Sequence, residues 1–100
     1  MKLPTEIIIA GSKFRLEPAP GYRKTDNFWG SVTFSERLVE YDTTLSDRNQ
    51  LMTILHEIGH IIQRANRHRL NERDADRSAR ALWKLVRENP ELFRAILRVK

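Results

Sequence analysis

The sequence predicts an α+β fold in which a small antiparallel sheet is followed by a layer of helices. Two observations predict this order. Residues 1–45 contain short runs in which apolar and polar side chains alternate, as in half-buried strands. Residues 46–100 instead carry apolar side chains every three or four positions, the period of amphipathic helices. Strands followed by helices are typical of α+β proteins, and a chain of 100 residues is expected to form a single domain over 1–100.

Four short runs, rich in aromatic and β-branched side chains, are predicted to form the sheet. Gly11-Ser12 lies between the first two and is a two-residue turn of the kind that closes a β-hairpin. Pro18-Ala19-Pro20-Gly21 interrupts the pattern and predicts a surface loop as far as Asn27. The predicted strands are residues 6–10, 13–17, 28–34 and 38–41.

Three helices are predicted to follow the sheet. Asp47 with Gln50 three residues later has the form of a capping box, which predicts that the first helix begins there. Asn71 with Asp74 predicts the start of a second helix, and Asn89-Pro90 that of a short third helix. The apolar stripes contain Leu51, Ile54, Leu55, Ile58, Ile61, Ile62 and Ala65 in the first helix, Ala75, Ala79, Leu82 and Val86 in the second, and Leu92, Phe93, Ile96 and Leu97 in the third.

The composition excludes several classes of protein. Hydrophobic residues make up 40% and charged residues 31% of the chain, as in globular proteins. The longest apolar run, residues 7–10, is far shorter than the ~18 residues of a spanning helix, so no membrane span is expected. No secretion signal follows Met1, and we expect a cytoplasmic protein. Because the chain has no cysteine, any metal must be bound by His, Asp or Glu.

The net charge of +5 lies entirely in the second half of the chain, where 11 side chains are basic and 6 are acidic. Such a surface can attract nucleic acid. However, the basic residues alternate with acidic ones and are not accompanied by base-stacking aromatic residues. A solvated helical surface is therefore the favoured interpretation, and nucleic acid is not the favoured partner.

The pattern H-E-x-x-H occurs inside the predicted first helix, as His56-Glu57-Ile58-Gly59-His60. Residues four apart share a helix face at roughly 5–6 Å, so both imidazoles can reach one ion while Glu57 lies beside its open position. The alternative is that the histidines are partly buried and hydrogen-bonded, with Glu57 as a solvated charge. The nearby polar side chains of Thr53 and Gln63 favour the metal site, because they are suited to lining a cleft.

A catalytic zinc ion keeps three protein ligands and leaves the fourth position to water, so a third ligand is expected. If the first helix continued straight, His68 would lie ~12 Å beyond His60, too far to share its ion. Glu72 requires the helix to end near Asn66 and the chain to turn back. Asp76 lies one turn after Glu72, so one carboxylate of this pair can bind metal and the other can orient a ligand histidine. Alternatively, these acids simply favour a helix N-terminus. The candidates are His68, Glu72, Asp74 and Asp76.

Together, H-E-x-x-H and the segment Asn71-Glu72-Arg73-Asp74-Ala75-Asp76 resemble the gluzincin metallopeptidases. There the third ligand is a glutamate on a second helix of form N-E-x-x-x-D or E-x-x-A-D, and both forms are present. The chain is most similar to the minigluzincins, soluble minimal domains that are themselves similar to HtpX-type and ImmA/IrrE-like peptidases. The resemblance covers residues 28–83 in layout, but its specific motifs occupy only 56–60 and 71–76. It implies Zn²⁺ bound by His56, His60 and Glu72, with Glu57 as the catalytic base and Asp76 as an outer partner.

The sequence departs from larger gluzincins in its short spacing, since only 11 residues separate His60 from Glu72. The insertions that shape substrate pockets there are missing, so the substrate is not predicted. Larger gluzincins also supply a side chain that stabilises the transition-state oxyanion, for which Arg80 and Tyr41 are candidates here. The resemblance further implies an edge strand that binds the substrate backbone, at Trp29, Gly30, Ser31 and Val32, although Phe28 and Trp29 are equally typical of a core.

The expected function is that of a zinc endopeptidase acting on a peptide or protein substrate. Because small soluble relatives resemble self-inhibited forms, the amphipathic tail of residues 90–100 is expected either to block the cleft or to complete the core. Two other functions are kept as alternatives. One is a regulatory protease of the ImmA/IrrE-like kind that cuts a specific repressor. The other is a basic nucleic-acid-binding module with a non-catalytic metal or none.

Overall fold

The sheet precedes the helices in the chain, which confirms the α+β prediction. The computed structural model describes residues 1–21 and 29–99. Phe28 and most of the loop predicted to reach Asn27 lie outside these described residues. The elements are β1 (Glu6–Ile9), β2 (Ser12–Pro18), β3 (Gly30–Thr33), a 3₁₀ turn (Phe34–Glu36), β4 (Leu38–Tyr41), α1 (Asp47–Ala65), α2 (Glu72–Glu88) and α3 (Pro90–Arg98).

The sheet is mixed, so the prediction of an antiparallel sheet was wrong in one pairing. The strand order is β1-β2-β4-β3, and β1 and β3 each run antiparallel to their neighbour. Strands β2 and β4 run parallel, with Leu16 opposite Val39. Alternation of side chains indicates which face of a sheet they occupy, but not the direction of a strand that pairs after a long connection. This order leaves β3 at one edge of the sheet.

The hairpin between β1 and β2 turns one residue earlier than predicted. Ile9 pairs with Ser12, so the two loop residues are Ala10 and Gly11 rather than Gly11 and Ser12. Both have positive φ, 50° and 78°, as a type I′ turn requires. A type I′ turn matches the twist of the two strands, and it places Ala10, which is not a glycine, in the left-handed region.

The hydrophobic core lies between the sheet and α1. Ile54 and Ile61 of α1 are buried two turns apart and pack with side chains from β1, β2 and β4. Burial of this apolar face is the main force that holds α1 on the sheet. The sheet contributes Ile9, Phe14, Leu16, Val39 and Tyr41 to this core.

Helix α1 is capped by Ser46, one residue before the predicted Asp47. The Ser46 hydroxyl accepts a hydrogen bond from the Asn49 backbone N–H at 3.2 Å, which is a standard N-cap interaction. Gln50, predicted to close a capping box, is buried and instead donates from Nε2 to the Leu45 carbonyl at 2.9 Å. The cap fixes the direction in which α1 leaves the sheet.

Helices α2 and α3 contribute much less to the core. Of the stripe predicted for α2, Ala75 and Ala79 are buried, whereas Leu82 and Val86 are 40% exposed. Helix α3 packs beside α2 and has no buried residue, so the tail does not complete the core as one prediction held.

In the described part of the chain, no helix combines the length and the apolar character needed to cross a membrane.

Candidate metal centre

Helix α1 presents both imidazoles of the H-E-x-x-H motif on one side. The His56 and His60 rings meet edge to face, with centroids 4.8 Å apart and an interplanar angle of 85°. Their side chains are only 19% and 6% exposed. Glu57 is buried as well, at 7% exposure, which excludes the alternative in which it is a solvated charge. Three ionisable side chains are therefore withdrawn from water at one point of the helix.

The chain reverses direction directly after α1, as a Glu72 ligand requires. The helix ends with Asn66 as its C-cap, and Arg67 adopts the left-handed conformation that commonly terminates helices. The N–H of His68 then donates to the Gln63 carbonyl at 2.8 Å. As predicted, Asn71 starts α2, its side chain accepting from the Asp74 N–H at 3.0 Å. Glu72 is consequently the first residue of α2.

Gly59 of the motif allows α2 to lie close to α1. A Cβ atom at this position would meet the Cα and Cβ atoms of Ala75 at 3.2 and 3.3 Å, which is tighter than ordinary packing. The two helices run antiparallel, since Gln63 contacts Asn71 while His56 contacts Asp76. Because Gly59 and Ala75 are both small, the two helices pack closely here, and the first turn of α2 lies beside the imidazoles.

The Glu72 carboxylate bridges the two histidines. Its Oε2 atom lies 2.8 Å from His56 Nε2, and its Oε1 atom lies 2.7 Å from His60 Nε2. One ligand atom from each of His56, His60 and Glu72 lies within 4.8 Å of the others, and this group could hold a metal ion. The ligands of a tetrahedral zinc ion are roughly 3.3 Å apart, so modest opening would admit one.

The hydrogen bonds around Gln63 define which nitrogen of His60 carries its proton. Gln63 Oε1 accepts the Asn71 backbone N–H at 3.1 Å, and Gln63 Nε2 donates to the Asn71 carbonyl at 3.1 Å. The amide orientation is therefore set, and its oxygen also lies 3.0 Å from His60 Nδ1. Since an oxygen can only accept, Nδ1 must donate, and the neutral His60 ring keeps a lone pair on Nε2.

This assignment leaves two acceptors facing each other, which is the observation that fits a metal ion. His60 Nε2 is buried and makes no hydrogen bond to any described residue, although Glu72 Oε1 is 2.7 Å away. A lone pair and a carboxylate repel each other at this distance unless a cation lies between them. The donor set, two imidazoles and a carboxylate, is one that zinc binds.

The two carboxylates of the site have opposite pKa shifts. Burial raises the pKa of Glu57, and the electrostatic interactions with His56 and His60 offset only part of this effect. For Glu72, partial burial acts to raise the pKa, but the hydrogen bond to His56 and the attraction of both histidines when their rings are protonated outweigh it and lower the pKa. A carboxylate that ionises readily is suited to bind a cation, and one with a raised pKa is suited to accept a proton.

The other predicted ligands do not join this group. Asp76 Oδ1 lies 3.7 Å from His56 Nδ1, which is longer than a hydrogen bond, so its role as an orienting partner stays a prediction. His68 and Asp74 instead line a cleft on the far side of Gly59. Among the described residues, the group that could hold a metal ion, which we call the metal-binding group, consists of His56, His60 and Glu72.

The two candidates for stabilising an oxyanion, Arg80 and Tyr41, are not in the lining of the cavities beside the imidazoles. Arg80 Nη2 pairs with Asp76 Oδ2 at 2.9 Å and lines a neighbouring cleft. Tyr41 is 7% exposed and belongs to the core beneath α1. Neither position supports the predicted role, which stays untested for both.

The edge strand β3 lies along the cleft that contains the group. On one side the cleft has a volume of about 280 Å³ and is lined by Trp29, Gly30, Met52, Thr53, His56, Glu57, Glu72 and Asp76. On the other side it is lined by Gly30, Ser31, Val32, Phe34, Glu57, His60, Leu70 and Glu72. No α3 residue is in either lining, so the described part of the tail does not block the cleft. Trp29, Gly30, Ser31 and Val32 thus lie beside the group, and their binding of a substrate backbone stays a prediction.

Gly30 permits this close approach of β3 to α1. A Cβ atom there would lie 2.4 Å from the Glu40 carbonyl oxygen and 2.6 Å from Thr53 Cγ2, which is not sterically possible. Neither this requirement of Gly30 nor the hydrogen bonds of Gln63 were predicted from the sequence. A glycine at the start of a strand and an amide three residues after a histidine were the available signals.

Comparison of the chain with known protein families, with curated proteins and with solved structures finds no match. The resemblance to gluzincins therefore rests on the two motifs alone.

Proposed function

We propose that the protein is a zinc-dependent endopeptidase. The observation that carries this proposal is the pair of facing acceptors, His60 Nε2 and Glu72 Oε1, at 2.7 Å with His56 beside them. Three protein ligands that converge on a cleft, with room for a fourth ligand from solvent, are typical of catalytic rather than structural zinc sites. Bound zinc would supply Lewis acidity, activating a water and polarising a carbonyl oxygen.

Glu57 is suited to move the proton in this reaction. It is buried, follows one ligand in the helix, and lines the cleft on both sides of Glu72. Its carboxylate would accept a proton from the attacking water and return it to the amine of the leaving peptide. His56 and His60 bind and orient in this scheme and exchange no proton.

The edge strand β3 supports an extended peptide as the substrate. Within the described residues its outer edge is unpaired, and Gly30, Ser31 and Val32 follow one another along the cleft. An extended peptide can add to such an edge through main-chain hydrogen bonds, which bind many sequences alike. A backbone-directed site of this kind suits an endopeptidase.

The substitution Glu57→Gln tests the function. We expect the zinc-loaded variant to keep its zinc content, since no ligand changes, and to cleave a mixed peptide library roughly 10²–10⁴-fold more slowly. Glu36→Gln makes the same change at an exposed position of the 3₁₀ turn and should leave cleavage unaltered. Cleavage at the parental rate by Glu57→Gln would remove Glu57 from the mechanism. Failure of the zinc-loaded parent to cleave any library peptide would overturn the proposal.

A further inference from the structure

A second cleft adjoins the first along the groove between α1 and α2. It has a volume of about 360 Å³, and Met52 lines both clefts, so the two are adjacent. Four basic side chains surround Trp83 in this second cleft, which we call the basic cleft: Arg48 from α1, and Arg80, Lys84 and Arg87 from α2. Its acidic lining residue is Glu88.

Two of these cations have no carboxylate partner among the described residues. Arg80 pairs with Asp76 at 2.9 Å, and Lys84 lies 3.9 Å from Glu88. Arg48 and Arg87 instead lie over the Trp83 ring, at 5.8 and 5.1 Å from its centroid, and no described carboxylate pairs with either. Stacking on an aromatic ring restrains a guanidinium while leaving its N–H groups free to bind an anion.

We propose that the basic cleft binds carboxylate side chains of the peptide substrate, an inference that rests on the peptidase function proposed above. Because the two clefts adjoin at Met52, a peptide lying across the metal-binding group and continuing past Met52 would reach the basic cleft. A guanidinium binds a carboxylate in a bidentate manner that a neutral side chain does not match. Nucleic acid fits less well, because single strands need an open aromatic face and both guanidiniums already occupy that of Trp83.

The lengths of α1 and α2 predict where acidic residues should lie in the peptide substrate, relative to the scissile bond. Arg48 precedes His56, and Arg80 follows Glu72, by eight residues, or roughly 12 Å along each helix axis. Arg87 lies roughly 22 Å from Glu72 by the same measure. An extended peptide advances ~3.3 Å per residue, so the acidic side chains belong about four to seven positions from the scissile bond, on one side of it only.

The test uses peptides with a randomised core flanked on either side by a run of glutamates, each paired with a version that carries glutamines. We expect one glutamate peptide to be cleaved at least about tenfold more efficiently than its glutamine partner. High salt should reduce this ratio, since exposed charges are screened. The ratio should approach one in Arg48→Gln/Arg87→Gln and persist in Lys2→Gln/Lys13→Gln, which removes two charges outside both clefts.

Binding of the same labelled peptides to the zinc-loaded Glu57→Gln variant separates this inference from the proposed function. If the parent cleaves no peptide but the variant still binds the glutamate peptide preferentially, the basic cleft is supported and the proposed peptidase function is contradicted. Cleavage without any glutamate preference, or a preference that survives the double arginine substitution, overturns the inference. Single-stranded DNA that displaces the glutamate peptide at lower concentration than the peptide itself would also overturn it, in favour of nucleic acid.

A second inference rests on the hydrogen bonds of Gln63, which are independent of the basic cleft. We infer that Gln63 is a positioning residue that links His60 on α1 to the start of α2, where Glu72 lies. One oxygen accepts from His60 Nδ1 at 3.0 Å and from the Asn71 N–H at 3.1 Å. The same side chain therefore sets the tautomer of one ligand and holds the residue that precedes the ligand Glu72.

Gln50 provides a matched control for this inference. It is a buried glutamine of α1 whose amide donates to the Leu45 and Thr43 carbonyls, outside the metal-binding group. Gln63→Met removes the hydrogen bonds at nearly constant volume, and we expect zinc affinity to fall about 10- to 100-fold, as for other outer partners of ligand histidines. Gln50→Met should lower the melting temperature but change zinc affinity less than threefold.

Long-range ¹H–¹⁵N NMR of the metal-free protein reports the tautomer directly. We expect His60 to carry its proton on Nδ1 in the parent and in Gln50→Met, and to populate the Nε2-protonated form in Gln63→Met. Parental zinc affinity in Gln63→Met, or an equal loss in Gln50→Met, would contradict the positioning role. An unchanged tautomer in Gln63→Met would contradict it as well.

Discussion

The two helices that carry the metal-binding group are held in place very differently. Helix α1 buries Ile54 and Ile61 in the core and keeps Glu57 and His60 at 5–7% exposure. Helix α2 has only alanines among its buried residues, and the side chain of its candidate ligand, Glu72, is 81% exposed. One half of the group is thus built into the core, and the other half stands at the surface.

This difference indicates how the site is assembled. The spacing of the two imidazoles follows from the geometry of a single buried helix. The third ligand, by contrast, depends on the position of α2, which is set by the Gly59–Ala75 approach and the Gln63–Asn71 hydrogen bonds. Zinc binding would therefore stabilise the α1–α2 junction more than it stabilises α1 itself.

Removal of a ligand is expected to have the largest effect. His60→Ala and Glu72→Ala should each weaken zinc binding by more than about 100-fold, the upper end of what loss of an outer partner costs. The loss should be greater for His60→Ala, since it removes a buried ligand from the preformed half of the group. Competition with a chelator of known affinity measures both values.

Asp74→Ala is the control for Glu72→Ala, because Asp74 is an exposed acid in the same helical turn. It should leave zinc affinity unchanged. Equal affinities for Glu72→Ala and the parent would assign the third ligand to another residue and would contradict the division of the site between the helices.

Gly59→Val is expected to have an intermediate effect, through the α1–α2 contact alone. The added side chain would press on Ala75, whose atoms lie 3.2–3.4 Å from a Cβ atom at this position. Overpacking of this kind costs about 1–3 kcal/mol, and displacement of α2 should weaken zinc binding about tenfold. Gly59→Ala should fall between the parent and Gly59→Val in zinc affinity. Parental affinity in both variants would show that the position of Glu72 does not depend on this contact.

The sequence was sufficient to predict the helical half of the fold, because each helix start carries its own signal. Asn71 caps α2 and Pro90 opens α3 as expected. The first helix begins at Asp47, as predicted, but Ser46 rather than Asp47 is its cap, because both side chains are good caps and the local sequence does not decide between adjacent ones. The parallel pairing of β2 with β4 was missed because it depends on the path of the whole chain.

The candidate site was predicted in its residue types but not in its contacts. The motif fixes the spacing of His56 and His60, and the turn after Asn66 brings Glu72 to them. No periodicity predicts that Gly30 must lack a side chain, since its neighbour Thr53 is distant in the chain. The contacts of Gln63 with His60 and Asn71 are close in sequence, but they depend on the turn that follows α1. Tertiary contact therefore decides which polar residues support the ligands.

Glu57→Gln should stabilise the metal-free protein, an effect smaller than those above. Burial raises the pKa of Glu57, so the carboxyl group loses its proton less readily in the folded than in the unfolded protein. Once the pH exceeds this pKa, the buried charge therefore lowers the free energy of unfolding. Removing the charge should raise the melting temperature by a few degrees at pH 7, since about 1 kcal/mol shifts it roughly 4–8 °C in a small domain. The gain should shrink as the pH falls and the parental carboxyl takes up its proton. A gain that is constant from pH 7 to pH 4 would contradict this cause.

Deletion of residues 90–100 is expected to have the smallest effect on the metal-binding group. Helix α3 has no buried residue and lines neither side of the cleft, and Leu97 is 84% exposed. Zinc affinity and the cleavage rate should stay within about twofold of the parent, while solubility rises because exposed apolar side chains are removed. A cleavage rate that rises severalfold on deletion would instead support the prediction that the tail blocks the cleft. Loss of folding would show that α3 stabilises α2, and with it the surface half of the site.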